Sequence, residues 1–164
     1  MRAIIKELGS KGFDALENWT WSLSLTALTM AIHASGITFM AFAAVRIRVR
    51  LESINHLSLR RVFAIVIGLI GVIGVLLALL HGIEATLWAA AYWWLGALNS
   101  PGEAMLYSVD SMSTRGASGL ILEHGWRMMG ALEAVDGMLL FGISTAYVFA
   151  VMQAYWALMI PISR

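Results

Sequence analysis

Residues 62–80 read VFAIVIGLIGVIGVLLALL, a run without one charged or polar side chain, and this run decides the class of fold. A helix rises 1.5 Å per residue, so about 20 apolar residues cross the hydrocarbon core of a bilayer. Two further stretches are also long and apolar, and spans are predicted at about 22–45, 62–90 and 128–160. The sequence therefore predicts an all-α membrane protein with three transmembrane helices.

The composition of the whole chain points to the same class. Hydrophobic residues make up 60% of the 164 residues and charged residues 13%, and the mean hydropathy is +0.78, far outside the range of soluble domains. An active site would have to be built inside the bilayer, so no enzyme is expected. Because there is no Cys, disulfides, thiolate metal ligands and cysteine nucleophiles are excluded. We expect no cofactor and no resident metal, a lipid bilayer as the surroundings, and no nucleic-acid partner.

The chain is expected to divide into an interfacial N-terminal segment, residues 1–21, and a membrane domain, residues 22–164. The first segment mixes both signs of charge with apolar residues, which is typical of a helix lying at the membrane surface. A break is predicted near Gly9 and Gly12, and a flexible tail is the alternative.

Five arginines between the first two predicted spans set the orientation. They lie within residues 46–61, and short loops rich in Lys and Arg stay in the cytoplasm. The C-terminus is then cytoplasmic as well, and the connection between the second and third spans lies on the outer side.

That connection contains residues 103–120, EAMLYSVDSMSTRGASGL, which are too polar to cross a bilayer. The preceding Asn99, Ser100 and Pro101 stop one helix and offer an N-cap for the next. A short helix followed by Ser, Thr and Gly, flanked by two spans, is the arrangement that brings backbone carbonyls to a channel axis. A re-entrant pore helix and filter loop are therefore predicted at about 101–120.

Residues 107–119, YSVDSMSTRGASG, resemble the pore helix and filter of tetrameric potassium channels, whose pattern reads Ser-Val-acid-Thr-x-Thr-Thr-Val-Gly-Tyr-Gly-Asp. Residues 125–146 resemble the inner helix of small bacterial ion-channel-like membrane proteins, with Gly-Ala-Leu-Glu before Leu-Phe-Gly. The resemblance implies the pore-forming subunit of a homotetramer in a bacterial inner membrane. It also implies passive permeation of monovalent cations, with potassium as the first candidate.

The resemblance assigns the filter to six residues: Ser113, Thr114, Arg115, Gly116, Ala117 and Ser118. Gly116 falls on the first filter glycine, but Ser118 takes the second, where a left-handed conformation costs about 1–2 kcal/mol. Ala117 replaces the aromatic residue that braces the filter, and Arg115 replaces a valine. Strong selectivity for potassium is therefore not expected.

Arg115 has two possible roles. In the family arrangement its side chain points behind the filter, toward the acidic position held by Asp110, and an ion pair that supports the filter is expected. If Arg115 faced the axis instead, four guanidinium groups would repel cations, and anion passage or closure would follow.

Four ionisable residues lie within or beside the predicted spans, two by two at a spacing of three: His81 with Glu84, and Glu133 with Asp136. Carboxylates in a membrane usually face protein or water. All four residues are expected either in an outer vestibule or in polar contacts between helices. For Glu133 and Asp136 the further possibilities are a contact to the pore loop, or hydrogen bonds to Arg127, His81 or the second span. A metal site formed by all four is the less favoured alternative.

Gly137 and Gly142 allow the inner helix to bend as a hinge, or to pack closely against a neighbour. Two other functions also stay open for the whole chain. One is a non-conducting, channel-derived scaffold or partner subunit, and the other is a membrane metal-binding protein or proton-coupled transporter.

Overall fold

The computed structural model describes residues 2–54, 58–116 and 119–159, with side chains in 16–54, 58–116, 119–123 and 125–156. In this part of the chain every regular element is helical. The α-helices are α1, Arg2–Glu52; α2, Leu59–Trp94; α3, Pro101–Met112; and α4, Arg127–Met159, which follows a 3₁₀ turn at His124–Trp126.

Three of these helices are long and apolar enough to cross a membrane: Leu16–Glu52 in α1, Leu59–Trp94 in α2 and Arg127–Trp156 in α4. Their described surfaces carry large apolar side chains, including Phe39, 75% exposed, and Ile67, 68% exposed. Soluble proteins rarely expose so much apolar surface, whereas a bilayer solvates it. The predicted all-α class with three apolar spans is confirmed at this level.

Helix α1 differs from the prediction, because it runs without interruption from Arg2 through Gly9 and Gly12. The expected break at these glycines is wrong, and residue 21 lies inside the same helix. Each glycine costs a helix interior only about 1 kcal/mol. Neighbouring Ala, Leu, Lys and Glu residues are good helix formers and offset that cost.

The described chain divides into two compact units. The first unit holds residues 1–31 and 82–140, and the second holds residues 32–81 and 141–164. The core of the first unit includes the large buried side chains Trp88, Tyr92, Leu122, Met129 and Leu140. The core of the second unit includes Met40, Val66, Ile73, Tyr147 and Tyr155. The described residues of the predicted pore loop, 101–116 and 119–120, lie within the first unit.

Local signals set both ends of the connection between α2 and α3. Gly96 has φ +69°, and the amides of Gly96 and Ala97 donate to the carbonyls of Trp93 and Tyr92 at 3.2 and 2.9 Å. This is the Schellman pattern that ends a helix at a left-handed glycine. The Ser100 hydroxyl then accepts from the amide of Glu103 at 3.2 Å, with Pro101 in the first turn. The predicted N-cap is thus confirmed.

Candidate functional site

Helix α3 is held in the first unit by small polar side chains on its buried face. The hydroxyl of Ser108 lies 2.8 Å from the carbonyl oxygen of Ala85 on α2, and it also reaches a carboxylate oxygen of Glu133 on α4. A hydroxyl has one proton, so it donates to one of these two oxygens at a time. Ser111 donates to the carbonyl of Gly130 at 3.0 Å. Helix α3 is therefore bonded to both neighbouring long helices.

Glu133 is the centre of this network. Its side chain is completely buried, and Tyr92 on α2 donates to its Oε2 at 2.7 Å while Ser108 on α3 contacts its Oε1. The Tyr92 ring also meets Tyr107 edge-on, with centroids 5.3 Å apart. A buried carboxylate is costly unless donors surround it. Glu133 thus joins α2, α3 and α4.

Asp136, one helical turn further along α4, is also buried and has donors from two other helices. Thr29 on α1 lies 2.7 Å from its Oδ2, and the indole nitrogen of Trp88 on α2 lies 3.1 Å from the same atom. The sequence left two interpretations of these carboxylates open. In the structure both carboxylates accept hydrogen bonds from the second span, Glu133 from Tyr92 and Asp136 from Trp88. Glu133 also contacts Ser108 on α3.

The loop after α3 takes an unusual backbone path. Thr114 has φ +57° and is the one non-glycine residue with positive φ in the described chain, and Gly116 follows with φ +84°. For a β-branched residue the left-handed region is strained. The amides of Thr114 and Arg115 fold back onto the carbonyls of Ser111 and Asp110 at 3.0 and 3.1 Å. These two bonds hold the strained residue in place.

Arg115 forms a forked ion pair with Asp110. Its Nε lies 3.1 Å from Oδ1 and its Nη2 lies 3.5 Å from Oδ2. The Asp110 side chain is 4% exposed, whereas that of Arg115 is 70% exposed. The predicted partners thus meet, but only the carboxylate is buried. Since the guanidinium stays solvated, the pair orients the loop more than it stabilises it.

The predicted filter residues are placed only in part. Ser113, Thr114, Arg115 and Gly116 are all exposed. Ala117 and Ser118 lie outside the described residues. Of the four predicted ionisable residues, Glu84, Glu133 and Asp136 are fully buried in the first unit, whereas His81 belongs to the second unit.

Glycines on α4 allow its close approach to α3. A Cβ at Gly137 would lie 2.7 Å from the Cα of Met112, which is backbone, and a Cβ at Gly130 would collide with the hydroxyl of Tyr107. At Gly142 nothing lies within 4 Å. Close packing thus accounts for Gly137 but not for Gly142, for which the hinge stays a prediction.

Sequence reasoning missed several residues of the site. The aromatic side chains at residues 88–94 were not among the predicted site residues. Trp93 and Trp94 are exposed, but Trp88 and Tyr92 are completely buried and donate to the carboxylates. Trp88 and Tyr92 are four positions apart, so they lie on one face of the helix. This spacing is the sequence signal that could have indicated a shared buried face.

A double-mutant cycle tests the ion pair. Arg115→Val alone leaves a buried carboxylate without its cation, so we expect a lower unfolding temperature. Arg115→Val with Asp110→Asn should recover part of that loss. Coupling of at least about 0.5 kcal/mol, from thermal unfolding in detergent, is the expected result. Strictly additive effects would show that the pair contributes nothing.

No family model, no curated protein and no solved structure matches this chain. Its function therefore has to follow from the residues and their geometry.

Proposed function

We propose that this chain is the pore-forming subunit of a homotetrameric channel that passively conducts monovalent cations, potassium first among them. Helix α3 is the re-entrant pore helix, and residues 113–118 form the filter loop. One observation carries the proposal. A helix of 12 residues, about 18 Å long and too short to cross a bilayer, is anchored by buried hydrogen bonds to two helices that are long enough.

The backbone of the loop supports this role. A filter points successive carbonyls at the permeating ion, and this requires conformations that alternate along the chain. Thr114 and Gly116 have positive φ at alternate positions. Their exposure suits groups that meet copies of themselves around a fourfold axis. Four copies are needed because one loop cannot surround an ion.

The charges near the loop favour cations. Asp110 pairs with the guanidinium of Arg115, so the charge of Arg115 is compensated inside its own subunit. Glu133 and Asp136 are occupied by donors from other helices. In this proposal they hold the pore helix instead of lining a vestibule. The arginine-rich residues 46–61 and the C-terminus face the cytoplasm of a bacterial inner membrane.

Ion flux tests the proposal directly. Purified protein in potassium-loaded proteoliposomes should conduct potassium above the rate of empty vesicles, and sodium with less than about tenfold discrimination, because Arg115 and Ser118 depart from the selective pattern. Gly116→Ala should abolish flux, since alanine at φ +84° is strained. Gly68→Ala on α2, where nothing lies within 4 Å of the added Cβ and φ is not positive, is the matched control and should conduct.

The second candidate is a non-conducting scaffold or partner subunit, favoured by the arginine inside the filter. The same flux measurement in proteoliposomes distinguishes the channel from the scaffold. The variant with Arg115→Val, Ala117→Tyr and Ser118→Gly restores the Val-Gly-Tyr-Gly core of the family pattern at residues 115–118. If the wild type and this variant assemble but neither conducts, the channel proposal is wrong and the scaffold stands.

A further inference from the structure

The second unit contains a polar cluster that the channel proposal does not use. Each of its three members comes from a different long helix: His33 from α1, His81 from α2 and Ser144 from α4. His33 is completely buried and Ser144 is 7% exposed. All three residues lie within the apolar spans. Ionisable side chains such as these two histidines are costly inside a span and usually have a function.

The geometry of the cluster is convergent. The Nε2 atoms of His33 and His81 lie 3.1 and 3.2 Å from the same hydroxyl oxygen of Ser144. The two rings are 5.2 Å apart between centroids, and the His81 ring also stacks on Phe141 at 4.4 Å. The Ser144 hydroxyl has one proton, so it donates to only one imidazole. The Nε2 atoms of both imidazoles therefore point to the same place, next to the Ser144 hydroxyl.

That arrangement suits a transition metal. The ligand atoms of the two histidines lie within 4.8 Å of each other. Tetrahedral coordination with zinc–nitrogen distances near 2.0–2.1 Å needs them about 3.4 Å apart. The two nitrogens therefore have to approach each other by at most about 1.4 Å when an ion binds. Imidazole is a preferred ligand of zinc, copper, nickel and cobalt.

A groove beside the cluster leaves room for further ligands. It has a volume of about 530 Å³, and His81, Ser144 and Phe141 form part of its wall. The rest of its wall is mainly apolar, so the remaining coordination positions have to be filled by water or an anion that enters with the ion. The histidines are neutral ligands, so the ion keeps its charge and exchanges more readily than in a closed thiolate site.

We propose that His33 and His81 form a binding site for one transition-metal ion of the zinc class, with the Ser144 hydroxyl beside it. The site joins α1, α2 and α4 within the second unit. A bound ion should therefore stabilise the folded protein by mass action. None of the three residues belongs to the predicted filter or to its support, so this proposal does not rest on ion conduction.

Direct binding tests the proposal. Tag-free full-length protein in detergent is titrated with ZnCl₂ by calorimetry, and with CoCl₂ by visible absorption, because tetrahedral cobalt absorbs strongly. We expect one ion per chain and a higher unfolding temperature with zinc. His33→Gln and His81→Gln should each weaken binding at least tenfold and remove the thermal shift.

Two further variants make the result specific. The chain has four histidines, and the matched control, His56→Gln with His124→Gln, should bind like the wild type. His81→Cys keeps a ligand in a chain that has no other thiol, and it should bind cobalt with a new thiolate-to-metal absorption band. Because the band is measured on His81→Cys, it tests the site even if the two Gln variants fail to fold.

Three outcomes would overturn the proposal. The first is that the wild type binds neither ion, which would mean that His33 and His81 serve only as hydrogen-bonding partners of Ser144. The second is equal binding by wild type, His33→Gln and His81→Gln, and the third is loss of binding in the His56/His124 control.

Discussion

Gly137→Ala is expected to destabilise the protein and to abolish conduction, although alanine is the better helix former. A Cβ at this position would lie 2.7 Å from the Cα of Met112 and closer still to the Met112 carbonyl oxygen. Both atoms are backbone, so no side chain can rotate away and α3 itself must move. Such overpacking costs about 1–3 kcal/mol or more, against a gain in helix propensity of at most about 1 kcal/mol.

Gly142→Ala is the matched control on the same helix. Nothing lies within 4 Å of its Cβ position, so the gain in propensity is unopposed and the unfolding temperature should stay equal or rise. Circular dichroism and tryptophan fluorescence during heating measure both variants. If Gly137→Ala unfolds at the temperature of Gly142→Ala, close packing of α4 on α3 is not the role of Gly137. Reduced flux in both, with unchanged stability, would instead support the hinge.

Glu133→Ala is expected to have the second large effect. The substitution leaves the Tyr92 hydroxyl without its acceptor, removes a partner of Ser108 and opens a cavity among buried side chains. An unsatisfied buried polar group costs about 1–3 kcal/mol, so we expect a loss of about 2–3 kcal/mol. Helix α3 would lose its hydrogen bond to the side chain of Glu133 on α4, and under the proposed function the potassium flux should fall with it.

Two comparisons isolate the network. Glu103→Ala removes an exposed carboxylate from the first turn of α3 and should change stability by less than about 0.5 kcal/mol. Tyr92→Phe with Glu133→Ala should cost less than the sum of the single changes, because the two side chains share one hydrogen bond. Equal stability of Glu133→Ala and Glu103→Ala would mean that the buried carboxylate does not hold α3.

Much of the fold could be predicted because it depends on local sequence. Apolar runs long enough for a bilayer predict the three long helices whatever their neighbours are. Ser100 and Pro101 predict the start of α3 in the same way, because a cap acts within one helical turn. The prediction failed at Gly9 and Gly12, where the surrounding helix formers outweigh two glycines.

The partners of the polar residues could not be predicted to the same degree. The spacing of Glu133 and Asp136 showed that they share a helix face, and the second span was among their expected partners. It did not show that Tyr92, 41 positions away, and Trp88, 48 positions from Asp136, donate to them. The approach of Gly137 to the backbone of Met112 also depends on contacts distant in sequence.

By itself, then, the sequence determined the membrane class, the three long helices and the caps of α3, because hydropathy and capping act over one span or one turn. Only the tertiary structure decided that Trp88 and Tyr92 are buried donors, that Asp110 is the buried half of its pair with Arg115, and that two histidines meet at Ser144. These contacts join helices far apart in the chain. Inside a bilayer, each buried polar group takes whichever partner the packing brings within reach.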